Sequence, residues 1–122
     1  MKLTEYAAYD ALGLGDLVNR REVTPRQLAA TAMEAIEAVD PTIKAVVETY
    51  PDRIENLDES SLGTGPFRGV PFLIKDIFGH EAGRKIEFGS RLCRGMRVEQ
   101  DTYLAQLLRA SGLNIMGRSN AP

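Results

Sequence analysis

Gly65-Pro66-Phe67-Arg68-Gly69-Val70-Pro71-Phe72-Leu73-Ile74-Lys75-Asp76 spreads glycine and proline through its first half, then gathers an apolar run that ends in a lysine and an aspartate. An apolar run of this length, bounded by turn residues, is the pattern of a buried strand. The strand is expected over residues 70–74, with Lys75 at its mouth, where an open α/β sheet holds its ligand. Side chains alternate along a strand, so Lys75 shares a face with Leu73 and Pro71, while Asp76 points the other way with Ile74 and Phe72. The adjacent lysine and aspartate are therefore not expected to neutralise each other. Desolvation by the apolar face would favour the neutral amine, which is how a lysine comes to accept a proton near neutral pH. Two readings stay open on composition alone: a strand-end lysine that carries its ammonium out to water, or a catalytic base or phosphate contact.

Upstream of this stretch the chain is helical. Asp10 is an N-cap for a short helix over residues 11–20, weakened by Gly13 and Gly15. Thr24-Pro25-Arg26-Gln27 combines a capping box with proline in the first turn. Leu28, Ala32, Ala35, Ile36 and Val39 then fall on one stripe, as core packing requires. Asp40-Pro41 is expected to end that helix, because the residue before proline avoids helical geometry. Ala45 to Tyr50 is rich in β-formers, Pro51 to Leu57 allows a turn or two of helix, and residues 58–65 read as a surface loop.

Downstream, residues 77–100 are glycine-punctuated and expected to be irregular, in the place where loops carry function. Asp101 is expected to cap a helix whose buried stripe is Leu104, Leu107 and Leu108, with Arg109 in the last turn and Gly112 as the left-handed stop. Leu113 to Met116 is then a short strand, with Gly117 to Pro122 turning away from it. Strand, loop, helix and strand over residues 70–116 form a crossover unit of a parallel or mixed sheet, so the fold class is α/β.

The 122 residues suffice for one core and not for two. A formal net charge of −2 provides no basic field, so nucleic acid is not the expected partner. Cys93 is the one cysteine, which excludes an internal disulfide and suits a reducing compartment. No apolar run is long enough to span a membrane, and the first residues lack a signal peptide's apolar region; the cytoplasm is the expected location.

Familiar catalytic constellations are not met. His80 is the only histidine and no Gly-x-Ser-x-Gly elbow is present, so a Ser-His-Asp triad has no support. One histidine with one cysteine makes no zinc site. Cys93 with His80 is conceivable as a thiol dyad, but a lone cysteine is more often a small hydrophobe. Gly117-Arg118-Ser119 lacks the lysine-ended phosphate cradle. Lys75 is what remains.

The segment from Gly65 to Asp76 resembles the lysine-bearing segment of the amidase signature family. The resemblance continues through Gly89-Ser90-Arg91, Asp101 to Leu108, Ala110-Ser111-Gly112 and Ile115 to Pro122, and the opening with Glu22-Val23-Thr24 and Ala38 to Pro41 is also similar. It covers nearly the whole chain, and the wording Gly-Pro-Phe-x-Gly-Val-Pro is similar to that of bacterial hydrolases of linear and cyclic amides. The resemblance implies the N-terminal part of a mixed-sheet α/β fold with flanking helices, over residues 1–122 of a single domain. It implies a Ser-Ser-Lys mechanism with no metal and no cofactor: a neutral lysine takes a proton through a bridging serine, and a second serine attacks the amide carbonyl. The position matching the lysine is Lys75.

The two serines of that mechanism belong to a glycine- and serine-rich stretch expected downstream of Pro122, and the sequence stops before it. Ser60-Ser61 precedes the lysine strand and reads as loop; Ser90 and Ser119 match the family's wording, but neither is at its nucleophile. The chain thus reads as the front part of an amidase, inactive alone, truncated or split. Its expected partners are a small-molecule amide substrate and a second chain carrying the serines, or its own copies through self-association. The alternatives are part of the amidase subunit of a tRNA-dependent amidotransferase, or a non-catalytic α/β fragment that packs against another chain.

Overall fold

The computed structural model describes residues 1–122. A single helical turn, α1 (Leu3–Tyr6), opens the chain, announced by no periodicity in the sequence. Asp10 accepts the Gly13 N–H at 2.8 Å and starts α2 (Ala11–Asn19). Thr24 Oγ1 accepts the Gln27 N–H at 3.1 Å while Gln27 Oε1 accepts the Thr24 N–H at 2.8 Å, and this closed capping box starts α3 (Pro25–Ile43).

Helix α3 does not stop at Asp40-Pro41. Pro41 lies in its last turn, and the chain leaves through Lys44 in the left-handed region at φ 51°. So close to the end, the missing proline N–H disrupts little of the ladder that follows. Asp40 has a different task from ending the helix. Its Oδ1 accepts the N–H groups of Ala45 (2.7 Å) and Val46 (2.9 Å), which fastens the entry to β1 (Val46–Thr49).

After α4 (Pro51–Ile54) comes the expected surface loop, with one 3₁₀ turn at Glu59–Ser61. The loop is pinned from below: Arg68 donates to the carbonyls of Leu62, Gly63 and Glu59. Strand β2 (Pro71–Lys75) follows, then the irregular segment with a 3₁₀ turn at Arg91–Cys93, then α5 (Tyr103–Ala110) and β3 (Asn114–Ser119). The sheet order is β1-β3-β2, with β3 parallel to β2 and antiparallel to β1. The crossover unit expected over residues 70–116 is present, and its two strands are direct neighbours.

Two small cores hold the elements. Leu14, Leu17, Val18, Val23 and Leu28 cluster with Val70, joining α2 and α3 to the start of β2. Tyr50, Ile74, Ala105 and Ile115 cluster between α5 and one face of the sheet.

Helix α5 differs from its sequence reading in two ways. Its N-cap is Thr102, whose Oγ1 accepts the Ala105 N–H, because Asp101 is engaged by the Ala82 N–H and by Arg109. It meets the sheet-side cluster through Ala105, fully buried, and through the expected Leu108, whereas Leu104 and Leu107 are both 49% exposed. A small residue lets the helix backbone approach the sheet, and Leu104 and Leu107 flank that contact instead of forming it. Strand β3 also runs on where a turn was expected. A Cβ on Gly117 would stand 2.4 Å from the Glu48 carbonyl, so glycine there allows β1 to close on β3 and continue to Ser119.

Candidate active site

The C-terminal ends of β2 and β3 bring four polar residues together. Lys75 pairs in register with Ser119, and the Asp76 N–H continues the ladder to the Ser119 carbonyl at 3.0 Å. By strand alternation Lys75 and Ser119 lie on one face of these adjacent strands, and Asp76 and Arg118 on the other.

On the Asp76 face the charges are closed into a network. The Arg118 guanidinium donates to Asp76 Oδ1, to Glu48 Oε2 at 2.9 Å and to Glu87 Oε2 at 3.1 Å. Asp76 and Arg118 are both 3% exposed. Burial pulls the Arg118 guanidinium toward its neutral form, but its bonds to Glu87 and Asp76 outweigh this and raise its pKa above the usual arginine value. The Gly95 N–H, 2.6 Å from Oε1, and then the Arg118 guanidinium hold the Glu87 carboxyl below the usual range. Asp76 also accepts the N–H of Glu87 at 2.8 Å and that of Gly89 at 3.4 Å, so this one carboxylate folds the irregular segment back over the strand ends. The crossing segment carries Phe88 at φ 54° and Ser90, and a polar cleft of about 200 Å³ opens between it and Asn120.

A second charge cluster holds the other end of that segment. Glu81, buried, accepts from Arg109 at 3.0 Å and from Arg53 at 3.3 Å, and Arg84 bridges to Asp52 while lying 4.1 Å over the Tyr50 ring. Burial, then the nearby Glu48, pushes the Tyr50 phenol up to about 12.

Lys75 takes no part in either network. The expectation of a desolvated lysine is not met within these residues: Lys75 is exposed, and Leu73 and Pro71 beside it are only half-buried. Its face of the sheet borders a groove of about 350 Å³ between β2, β3 and α3. Ser60 and Ser61 are spent within their own turn, on Asp58, and the backbone N–H of Leu92 donates to Ser90 Oγ. Of the serines weighed from sequence, only Ser119 stands beside Lys75. His80 is held by Thr102 and Cys93 closes the turn at Arg91–Cys93, so the two serve as parts of the irregular segment.

The Arg118 network is what sequence reading missed. A signal was there: an aspartate sharing a parity with Ile74 and Phe72 has to be buried, and a buried carboxylate needs a cation.

The Amidase family model matches residues 27–122. The chain belongs to the amidase family. A curated amidase relative, the 6-aminohexanoate-cyclic-dimer hydrolase of Paenarthrobacter ureafaciens, is 31% identical over 118 residues, covering 93% of this chain and 23% of the relative. A glutamyl-tRNA(Gln) amidotransferase subunit of Chloroflexus aurantiacus is 29% identical over 125 residues, covering 97% of this chain and 24% of the relative. A solved structure of 6-aminohexanoate cyclic dimer hydrolase complexed with substrate superposes with a TM-score of 0.83 at 31% identity, over 93% of this chain and 24% of that one. The chain spans about a quarter of the length of the curated relatives it matches. The α/β architecture is therefore that of a segment of an amidase. No helix is long and apolar enough to cross a membrane.

Proposed function

We propose that this chain is the lysine-bearing part of a hydrolase of carbon–nitrogen amide bonds, with Lys75 as the proton acceptor of a Ser-Ser-Lys mechanism. The observation that carries the reading is the position of Lys75: at the C-terminal end of an edge strand, out of every ion pair, on the face it shares with Pro71, Leu73 and Ser119. No carboxylate pairs with Lys75, and the nearest one along the chain, Asp76, faces the other way and is committed to Arg118. The named relatives support the amide bond as the target. The higher identity to a cyclic-amide hydrolase favours small linear or cyclic amides over the amidotransferase reaction.

In this reading Lys75 accepts a proton relayed through one serine as a second serine attacks the carbonyl; the proton returns to the amide nitrogen as the C–N bond breaks and the amine leaves, and water then releases the acid from the acyl-enzyme. Both serines come from polypeptide other than residues 1–122, so the chain alone turns over no amide. The test pairs two measurements on the purified chain: hydrolysis of 6-aminohexanoate cyclic dimer, and labelling by a fluorophosphonate probe that reacts with activated serines. No turnover and no labelling are expected. Stoichiometric labelling of Ser119 would place a nucleophile within the chain and overturn the division of labour.

A further inference from the structure

In the polar cleft beyond the ends of β2 and β3 the carboxylates are spent and the cations are not. Asp76 and Glu87 stand in its wall. Asp76 accepts from Arg118 and from the N–H groups of Glu87 and Gly89, and Glu87 accepts from Arg118 and the Gly95 N–H. Arg91 and Arg94 line the same cleft from either end of the 3₁₀ turn at Arg91–Cys93; both are exposed, and neither enters an ion pair. Ser90 Oγ accepts the Leu92 N–H, which leaves its hydroxyl proton free to donate. What remains on offer is therefore hydrogen-bond donors and positive charge. Val47, 43% exposed, adds one apolar side chain to the wall. The place of the cleft gives these groups a use. Asp76 and Asn120 each follow, by one residue, a member of the Lys75–Ser119 register pair. One residue of strand is about 3.3 Å, so a molecule reaching over the strand ends from Lys75 enters the cleft at once.

We propose that this cleft is a carboxylate site, with Arg91, Arg94 and Ser90 as its donors. Joined to the amide-hydrolase reading, on which this step rests, it makes the substrate an amide that carries a carboxylate on a short alkyl arm. A planar guanidinium pairs a carboxylate through two parallel N–H donors, and a second one on the same short turn doubles the charge that draws it in. The methylenes of the arm lie against Val47. A cation is excluded as the occupant, because it would have to take Asp76 or Glu87 from Arg118, and a buried guanidinium stripped of its partners is costly. A neutral ligand would gain nothing from the two arginines. The volume of about 200 Å³ is below that of a pocket for a drug-sized molecule and suits a carboxylate with a few methylenes.

The test is an NMR titration of the isotope-labelled chain with three probes: 6-acetamidohexanoate, its methyl ester, and hexanoate. Saturable shifts at the backbone amides of Gly89, Ser90, Arg91 and Asn120 are expected with 6-acetamidohexanoate. The methyl ester keeps the amide and loses the charge, and should bind about tenfold more weakly. The double variant Arg91→Gln with Arg94→Gln should lose about the same factor for the carboxylate probes. Both side chains are exposed and unpaired, so the fold is expected to be kept, and the spectrum reports whether it is. Arg91→Gln and Arg94→Gln singly should each lose part of the affinity, and they decide where the double variant does not fold. Arg20→Gln removes an equal charge at the end of α2 and should bind as the wild type does. No saturable binding, equal binding of the methyl ester, or undiminished binding by folded arginine variants overturns the proposal. An equal loss in Arg20→Gln also overturns it, since the attraction is then to the charge of the whole chain. Hexanoate separates the two readings. If it binds as tightly as 6-acetamidohexanoate and is lost with the arginines, the carboxylate site stands, and the amide-hydrolase reading loses the amide as a group held beside Lys75.

Discussion

The two sides of β2 at its C-terminal end are built to different degrees of completion. On the Asp76 side, Arg118 satisfies three carboxylates from β1, β2 and the irregular segment, and the apolar part is sealed by Ala105 against Ile74 and Ile115. On the Lys75 side, the lysine meets solvent beside an unfilled groove. A buried ion pair has to find all its partners nearby, because uncompensated charge in a low-dielectric interior is costly. A proton acceptor instead needs reacting groups brought to it. The difference therefore separates a closed, charge-compensated side from one on which the proposed proton acceptor still meets solvent.

The sharpest way to break that contrast is to remove Arg118. Arg118→Leu leaves Asp76 buried without a cation, and a loss of about 3–5 kcal/mol is expected in urea unfolding. A loss no greater than that of an average surface substitution would mean that water reaches the cluster and that the closed side is not closed.

Packing gives the next largest effect. Ala105→Leu forces extra volume into the sealed side, where Ala105 is fully buried, and should destabilise by about 1–3 kcal/mol. Ala35→Leu points the same added volume into the open groove and should change stability by no more than about 0.5 kcal/mol. Equal penalties at the two positions would show that the groove is tighter than its lining implies.

Acid sharpens the comparison from another direction. The carboxyls of Glu87, Asp101 and Asp52 are held below their usual values in the folded chain. At Asp101 desolvation pushes upward, and the Ala82 N–H and Arg109 together overcome it; at Asp52 the hydrogen bond from Arg84 leads. Groups depressed in the folded state stabilise it above their unfolded pKa, and that contribution is lost as pH falls through the folded values. Stability should thus be level near neutrality and decline below about pH 4. Arg118→Leu should make the decline shallower, because Glu87 loses one of its two supports. A decline as steep as in the wild type would mean that the Gly95 N–H alone holds Glu87 down and that Arg118 adds nothing to it.

The smallest effect belongs to Lys75. Lys75→Ala should leave unfolding within about 0.5 kcal/mol of the wild type, since an exposed, unpaired side chain contributes little to folding. A larger loss would give it a structural role and weaken its reading as a base kept for chemistry.

Much of this was legible in the sequence because it depends on neighbours close along the chain. Thr24 and Gln27 close a capping box across three residues, Asp10 reaches Gly13, and Gly112 takes φ 97° behind α5. The parity that separates Lys75 from Asp76 needed only the pleat of a strand. The segment from Gly65 to Asp76 likewise carried the resemblance to the family to which the chain belongs.

Tertiary contacts take over where distant parts compete for the same group. Asp101 looks like a cap from its place before α5, but Ala82 and Arg109 claim its carboxylate, and Thr102 caps instead. Asp40 precedes a proline, yet the helix continues and its carboxylate fastens β1. Leu104 and Leu107 follow helical periodicity and still lie half in solvent, because closest approach to the sheet falls on Ala105. Lys75 has an apolar strand beside it and is exposed nonetheless. The order of residues settles which groups a position carries and which way it faces. Burial and pairing depend on what other elements arrive at that face, and on the Lys75 side of β2 helix α3 covers Pro71 and Leu73 only in part and leaves Lys75 in solvent.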